Sequence, residues 1–195
     1  TKSSYSVTVT STDAGGLTNS TDFSVTINDI NDAPTVTTAV ANQSQNEDAV
    51  LSFVIPANSF TDDDGDTLTY SVTLSDDSAL PSWLSFDAAT QTFSGTPLND
   101  DVGSLEIKMS VSDGTLTTTD TFTLTVVNTN DAPTALTLSA SAVDENVTGG
   151  EVGDLATTDV DTGDTHTYTL SGADASSFEV VDGKLKLKST VTADF

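Results

Sequence analysis

"NDINDAPT" (residues 28–35) and "NTNDAPT" (residues 128–134) are two nearly identical acidic phrases, and their spacing decides how the fold is interpreted. The shared core "NDAPT" recurs 99 residues apart, which is the length of a small domain. Repetition at a fixed, domain-length period indicates tandem modules. Each phrase leads into a proline, which donates no ladder hydrogen bond and stiffens the entry into the next strand. The two phrases are therefore predicted to be linkers between successive modules.

The chain is strongly acidic. Its 195 residues include 30 acids and 5 bases, all lysine, for a net charge of −25. This charge opposes binding to nucleic acid or insertion into anionic membranes. The acids comprise 25 Asp and 5 Glu. Short Asp side chains favour turns and oxygen-rich cation sites, whereas a surface that is acidic only for solubility would use Glu as readily.

Little in the chain suggests catalysis. There is no cysteine and one histidine, His166, so thiolate metal sites are excluded and no nucleophile motif accompanies the imidazole. The acids lie in turns and linkers rather than in an apolar cleft that would raise a pKa. We therefore predict that the protein is not an enzyme, and that His166 is a partly exposed strand residue.

Apolar residues alternate with Ser and Thr along most of the chain. The stretches "YSVTVTST" (5–12), "LTYSVTL" (68–74) and "FTLTV" (122–126) show this period of two, and similar short runs surround Leu136, Tyr168 and Leu185. No segment sustains a helical period. The pattern predicts an all-β fold with short strands, as in a sandwich.

The repeats divide the chain into three parts. Residues 1–33 are predicted to be the C-terminal part of one module, residues 34–133 a complete module, and residues 134–195 the N-terminal part of a third. The two end pieces together amount to 95 residues, about one module. Truncation would leave bare edge strands. We therefore hypothesise that the end pieces pair into one sandwich, between chains or within one.

The linkers carry groups suited to a hard cation. Asp29 and Asp32 offer carboxylates and Asn31 offers an amide oxygen, and calcium takes six to eight such ligands at about 2.3–2.6 Å. Two like charges about 4 Å apart cost roughly 4 kcal/mol at an effective dielectric of 20. The joint is thus predicted to be flexible without Ca²⁺ and rigid with Ca²⁺ bound. The EF-hand and nonapeptide calcium patterns do not fit.

The order of these motifs, "E…DxD…DG…DxNDxAP", resembles that of cadherin repeats. The stretch "LPSWLSFDAATQTFSGTPLNDDVG" (80–103), with "VSDGT" (111–115), resembles the dystroglycan-type cadherin-like domain. The flanking stretches "VTVTSTDAGGLT" (7–18) and "DVDTGDTHTYTLSGADASSFEV" (159–180) resemble cadherin repeats of large bacterial RTX-type surface adhesins. The resemblance implies tandem Greek-key β-sandwiches of cadherin or Ig type, with calcium between neighbouring modules.

The resemblance also implies which residues bind calcium. At the first joint they come from the linker and the module above it: Asp29, Asn31, Asp32, Asp62, Asp64 and Asp113. At the second joint they come from the module below, the linker and the module above: Glu47, Asp100 or Asp101, Asn128, Asn130, Asp131, Asp159 and Asp161. Joints beyond the chain would use Asp13, Glu145 and Asp194. Asn128 replaces the usual linker aspartate, yet we predict fuller loading of the second joint, since the first lacks its lower module.

These expectations predict a calcium-stiffened spacer in a secreted, bacterial cell-surface adhesin. Its partners would be neighbouring modules of the same long chain, and it would project or connect ligand-binding domains in adhesion and biofilm formation. The alternative is that the middle module itself binds carbohydrate or protein. An exposed aromatic patch there would favour binding, and a Ser/Thr-covered surface would favour the spacer. Trp83, flanked by Leu84 and Phe86, is predicted to be a core residue rather than a sugar platform.

Overall fold

Strands dominate the structure, as the alternating pattern predicts. The computed structural model describes residues 3–193, and the fold is 46% strand and 3% helical, which confirms the all-β prediction. The strands are, in chain order, β1 (Ser4–Thr12), β2 (Thr18–Thr26), β3 (Thr35–Val36), β4 (Gln43–Asn46), β5 (Leu51–Val54), β6 (Phe60–Thr61), β7 (Thr69–Leu74), β8 (Leu84–Asp87), β9 (Thr92–Gly95), β10 (Gly103–Ser112), β11 (Thr117–Val127), β12 (Ala135–Leu138), β13 (Glu151–Thr158), β14 (Phe178–Val181) and β15 (Lys184–Leu187). Two short 3₁₀ turns are Asn99–Asp101 and Ala175–Ser177.

The described strands form five sheets, and the chain divides into two compact units. The sheet orders are β1-β2, β3-β6, β5-β9-β8, β4-β11-β10-β7 and β12-β13-β15-β14. The first unit contains residues 3–43, 51–95 and 105–124, and the second contains residues 44–50, 96–104 and 125–193. The module boundaries predicted after residues 33 and 133 stay predictions.

Strands β1 and β2 form an antiparallel hairpin that places Val7 opposite Phe23. Asp13 closes its turn, since its Oδ1 accepts the N–H groups of Gly15 at 2.9 Å and Leu17 at 2.8 Å. Every residue of both strands is exposed. One face of the hairpin carries the apolar residues Tyr5, Val7, Val9, Phe23, Val25 and Ile27. Each of these side chains is between 46% and 54% exposed, and an isolated two-stranded hairpin is only marginally stable in water.

The core of the first unit lies between the sheet β5-β9-β8 and strands β10 and β11. The rings of Phe93 on β9 and Phe122 on β11 meet edge to face with centroids 5.6 Å apart. Alternate residues of the long strands are buried, as period-two patterning requires. The buried apolar cluster consists of Val40, Leu51, Ile55, Phe60, Leu84, Phe93, Ile107, Met109, Val111, Phe122 and Leu124.

Trp83 is half-buried and packs against this core, which confirms the prediction made for it. Gly95 permits the close approach of the Trp83 backbone, because a Cβ on Gly95 would lie 2.1 Å from the Trp83 carbonyl oxygen. The other aromatic residues between positions 34 and 133 are likewise in the core or packed against it: Phe53, Phe60, Tyr70, Phe86, Phe93 and Phe122. The aromatic side chains between positions 34 and 133 therefore contribute to the hydrophobic core.

The second unit contains the four-stranded sheet β12-β13-β15-β14. The prediction of a strand around Tyr168 is wrong, because residues 164–170 form no strand in the described structure. His166 and Tyr168 are half-buried while the threonines between and beside them are exposed, so the alternation is present. The Tyr168 hydroxyl is hydrogen-bonded to Thr157 Oγ1 on β13 at 2.9 Å, but residues 164–170 have no backbone ladder with any described strand. Within residues 3–193, no helix has the length and apolarity needed to cross a membrane.

Candidate metal centres

The first linker meets two acidic turns of the first unit. The backbone N–H of Asp32 donates to Asp64 Oδ2 at 2.7 Å. The side-chain amide of Asn31 donates to Asp113 Oδ2 at 2.9 Å. With Asp62, which accepts the Asp64 N–H at 3.0 Å, the structure brings together five of the six residues predicted for the first joint. Asp29 is exposed, and its carboxylate forms no hydrogen bond or ion pair with the described residues.

Asp113 is held in its ionised form by its turn. Its Oδ1 accepts the N–H groups of Leu116 at 2.7 Å and Thr115 at 2.6 Å. These donors and the Asn31 amide, with the Leu116 N–H contributing most, hold the pKa of the Asp113 carboxyl far below its usual value. A carboxylate that accepts several N–H groups stays charged. Asp113 is thus a turn-closing residue with the same local role as Asp13.

Loop 62–66, which connects β6 to β7, contains the tightest cluster of the first unit. Carboxylate oxygens of Asp62, Asp64 and Asp66 lie within 4.8 Å of one another. Asp62 Oδ1 accepts the N–H groups of Asp64 and Asp66, while its Oδ2 is buried without a hydrogen-bond partner. Gly65, at φ +80°, supplies the left-handed turn that brings Asp66 back to the cluster. Sequence reasoning missed Asp66, although "DDDGD" contains it.

The second joint has a buried acid at its centre. Glu47 directly follows β4 and is 2% exposed. Its Oε1 accepts the Thr129 N–H at 2.7 Å, and its Oε2 is buried with no hydrogen-bond partner. Carboxylate oxygens of Glu47, Asp131 and Asp161 lie within 4.8 Å of one another, and we call this group the joint cluster. All three were predicted as ligands of the second joint.

Asp161 is held in place by the second linker. The backbone N–H of Asp131 donates to Asp161 Oδ2 at 2.6 Å. The side-chain amide of Asn128 donates to Asp161 Oδ1 at 2.8 Å. Asn128 is in turn oriented by the side-chain amide of Asn99, which donates to Asn128 Oδ1 at 3.4 Å. Asn128, predicted as a ligand, therefore positions Asp161 in this structure. The Asn130 side chain donates to the Asp131 carbonyl at 2.9 Å.

The electrostatics of the joint cluster are unfavourable without a counter-charge. Burial, followed by the carboxylates of Asp48, Asp161, Glu47 and Asp159, raises the pKa of Asp131. Converging carboxylates disfavour ionisation in this way. A cation would reverse the effect, and an all-oxygen donor set suits a hard cation such as Ca²⁺. The residues present fit that ion.

A second acidic group shares Asp161. Carboxylate oxygens of Asp159, Asp161 and Asp164 lie within 4.8 Å of one another, and we call this group the loop cluster. It occupies loop 159–164 after β13, where Gly163 has φ +96° and turns the chain just before Asp164. Asp164 was missed from the sequence, although "DVDTGD" contains it.

The remaining predicted ligands lie outside these clusters. Asp101 Oδ2 accepts the Leu98 N–H at 2.9 Å and so closes its own 3₁₀ turn. Asp100 and Glu145 are exposed, and their carboxylates contact no polar partner in the described part of the chain. Asp194 lies outside the described residues.

Comparisons with known proteins agree with this fold. Residues 33–127 match the family described as "Putative Ig domain". The chain is 37% identical, over 114 residues and 58% of its length, to the "Serine-rich adhesin for platelets" of Staphylococcus aureus (strain USA300), and it spans only 5% of that protein. The cadherin domains 1–4 of protocadherin gamma B7 align with 99% of this chain and 49% of that chain, at TM-score 0.63 and 19% identity. Human protocadherin-24 EC1-2 aligns with 81% and 80% of the two chains, at TM-score 0.56 and 19% identity.

These matches show what the chain is similar to. The central region matches a family of Ig-like domains, part of the chain is similar to a staphylococcal adhesin, and its fold is like that of cadherin domains. At 19% identity the structural likeness describes the fold alone. The dystroglycan-type and RTX-type resemblances stay predictions.

Proposed function

We propose that this chain is a calcium-stiffened spacer segment of an extracellular adhesin. The observation that carries the proposal is Glu47, a buried carboxylate with one oxygen lacking a hydrogen-bond partner, placed beside Asp131 and Asp161. Leaving a buried charged oxygen unpaired is costly. A bound divalent cation would satisfy it and would join residues from a strand end, the linker and the following loop.

The donor set favours calcium over magnesium. Calcium accepts six to eight oxygens in flexible geometry, whereas magnesium requires near-ideal octahedral geometry and keeps several waters. Two of the three carboxylates in the joint cluster are fixed by backbone N–H groups, Glu47 by Thr129 and Asp161 by Asp131, so the cluster has little freedom to contract around a smaller ion. Extracellular calcium modules bind at roughly 10⁻⁴–10⁻³ M, and we propose that range here.

The similarity to an adhesin and the cadherin-like fold support a location outside the cell, on a bacterial surface. They also support a non-enzymatic role, in which the chain connects or projects other modules of a long protein. Biofilm formation, as a process in which such a protein would act, belongs to the same proposal.

The alternative, a middle module that binds carbohydrate or protein, has less support. Sugar recognition would favour an exposed aromatic surface, but the aromatic residues between positions 34 and 133 are in the core or packed against it. The outward positions of β11 are mostly threonines, as a spacer surface requires. A ligand of the middle module would therefore have to be bound without aromatic stacking.

Thermal unfolding tests the proposal. We expect the melting temperature (Tm) in Ca²⁺ to exceed that in EGTA, because ligands that bind only the folded state stabilise it. At a Ca²⁺ concentration ten times the dissociation constant, one site contributes about 1.4 kcal/mol. Mg²⁺ at equal concentration should produce a much smaller rise. An unchanged Tm up to 10 mM Ca²⁺, about ten times the weakest expected dissociation constant, would refute the proposal.

A further inference from the structure

Residues 164–170 have the pattern of a strand but no backbone ladder with a described strand. Their counterpart in the first unit is β7, which follows the acidic loop 62–66 as residues 164–170 follow the acidic loop 159–164. In the described structure β7 pairs with β10. The β7–β10 pair is therefore an internal template for the strand that would pair with residues 164–170.

Strand β1 matches β10 in the turn that follows it. β10 ends directly before Asp113 and β1 ends directly before Asp13, and each aspartate accepts a backbone N–H of its own turn, from Leu116 and Leu17 respectively. Among the described strands, β1 pairs with β2 alone, so its second edge can accept a further ladder. Strand β1 thus has the features of the strand that the template requires.

The acidic loops fix the alignment of the two segments with the template. Each loop ends in a Gly-Asp step, at residues 65–66 and 163–164. Counting from that step places Tyr168 at the position that Tyr70 has in β7. Counting back from the two turn aspartates aligns β1 with β10 in the same way.

This alignment predicts the register of the new ladder. The template pairs are Met109 with Val72 and Ser110 with Ser71. The corresponding pairs are Val9 with Leu170 and Thr10 with Thr169. Opposed residues of an antiparallel ladder point to the same face of the sheet, so Val9 and Leu170 would share the apolar face, and the two threonines would share the polar face.

Both segments present apolar surface for this contact. On the hairpin, Val9 is 54% and Phe23 is 52% exposed. On the second unit, Leu170 is 39% exposed and lines a cavity of about 300 Å³ together with Phe178 and Leu185. In the predicted register, the apolar face of the hairpin would cover that cavity.

We propose that copies of this chain associate head to tail, with β1 of one copy pairing antiparallel with residues 167–170 of the next copy. The new sheet order, β2-β1-(167–170), repeats the order β11-β10-β7 of the first unit. The contact joins two different surfaces, so it continues from copy to copy unless the rotation closes a ring. None of the paired positions is a predicted calcium ligand, so the pairing does not rest on the proposed function.

The size of the apolar contact limits its strength. At half exposure, the side chains of Val7, Val9, Phe23, Val25 and Ile27 offer roughly 400 Å² in total. With an equal area on the partner copy the contact buries about 800 Å², less than the roughly 1,200–2,000 Å² of stable complexes. The net charge of −25 on each copy also opposes association. Association is therefore weak, and it should strengthen with protein concentration and with salt.

Disulfide trapping tests the pairing, because the chain has no cysteine of its own. Two single variants at exposed positions, Thr10→Cys and Thr169→Cys, are mixed in equal amounts and oxidised, once in Ca²⁺ and once in EGTA. The buffer contains about 1 M NaCl, where the Debye length is about 3 Å. Mass spectrometry then separates the mixed disulfide from the two symmetric disulfides.

We expect the mixed disulfide to exceed the half share of all disulfide-linked dimers that random collision gives. The ladder brings the two opposed Cβ atoms to about 4.5–5.5 Å, close to the roughly 3.5–4.5 Å of a disulfide. Because the two cysteines are on different chains, pairing within one chain cannot produce this result.

Thr165→Cys, mixed with Thr10→Cys, is the matched control. It makes the same change at an exposed position of the same segment, but four residues away from Thr169, which is roughly 13 Å along an extended chain. Its mixed disulfide should stay at the random share. Tm values establish that each variant is folded.

The outcomes are distinct from those for calcium. If Thr10→Cys and Thr169→Cys form only the random share of mixed disulfide in both buffers, the pairing is wrong. If Thr165→Cys links to Thr10→Cys equally well, the register is wrong and the inference fails. A mixed disulfide in excess, from a chain whose Tm does not respond to Ca²⁺, would support the pairing and refute the proposed function alone.

Discussion

Glu47 is a buried acidic residue, and burial disfavours its charged form. A carboxylate that is 2% exposed and lies among other acids opposes folding as long as its charge has no counter-charge. The neighbouring Asp131 responds to the same environment with a raised pKa. Stability and calcium affinity should therefore change in opposite directions when this charge is removed.

Glu47→Gln tests that opposition. We expect the variant to have a higher Tm than the wild type in EGTA, because it removes like-charge repulsion while its amide oxygen can still accept the Thr129 N–H. Its gain in Tm on adding Ca²⁺ should be smaller, because a charged ligand is lost. Differential scanning calorimetry with and without Ca²⁺ measures both effects.

Glu106→Gln is the matched control, because Glu106 is exposed on β10. It should change neither quantity appreciably. A Glu47→Gln variant that is less stable than wild type in EGTA, or that keeps the full calcium gain, would contradict the role given to Glu47.

At the scale of the elements, the β13–β15 pair contains a lysine with two acidic partners. Lys184 Nζ lies 2.5 Å from Glu151 Oε1 and 2.8 Å from Asp154 Oδ1. Hydrogen bonds to Asp154 and Glu151 raise the pKa of Lys184, and Lys184 lowers the pKa of Asp154 below the usual 3.8. These side chains are partly exposed, so salt screens their interaction.

The Asp154→Asn variant tests the contribution of the Asp154–Lys184 ion pair to stability as a function of pH. A carboxyl whose pKa is lowered by folding adds stability above its unfolded pKa, and this stability is lost as pH falls through the folded pKa. The variant should therefore melt a few degrees lower than wild type near pH 6, and the difference should vanish as the pH falls well below 3.8. Tm measured across this range in EGTA gives the comparison.

Asp182→Asn, in the adjacent β14–β15 turn at φ +51°, provides the control, since Asn also tolerates that conformation. A constant offset between Asp154→Asn and wild type at every pH would show that the change acts by something other than this charge.

At the scale of the whole molecule, residues 164–170 and the β1–β2 hairpin are two candidates for strand pairing. Residues 164–170 follow an Asp-x-Asp loop, as β7 does, and β7 pairs with β10. Strand β1 precedes Asp13 as β10 precedes Asp113, so a strand of the β1 type is the expected neighbour of residues 164–170. The apolar face of the β1–β2 hairpin is exposed. These observations support the prediction that end segments of different modules complete one sandwich.

Sedimentation equilibrium tests whether separate copies of this chain do so. We expect the apparent mass of the wild type to rise with concentration, and Phe23→Ser to shift the equilibrium toward monomer, because Phe23 lies on the exposed apolar face. Ser24→Ala, on the opposite face of the same strand, should leave the equilibrium unchanged. A wild type that stays monomeric at all accessible concentrations would exclude pairing between copies.

Local patterns determined much of this protein. Period-two alternation predicts the strands, because one face of each must meet the core. The Asp-x-Asp loops beside the two linkers were also predictable, since turn residues and their neighbours are set by short-range geometry. Trp83 could be assigned to the core from its apolar neighbours alone. Asp66 and Asp164 could also have been predicted as cluster members, because each directly follows a glycine in an acidic turn.

Only the tertiary structure decided how each acid is used. Glu47 and Thr129 are 82 positions apart, so neither the burial of that carboxylate nor its unpaired oxygen can be inferred from local sequence. The same holds for Asn128, which positions Asp161, and for Asp101, whose carboxylate closes its own turn. Residues 164–170 have a strand pattern but no ladder partner. Burial, hydrogen-bond partners and strand pairing depend on segments distant in the chain, and those contacts exist only once the chain has folded.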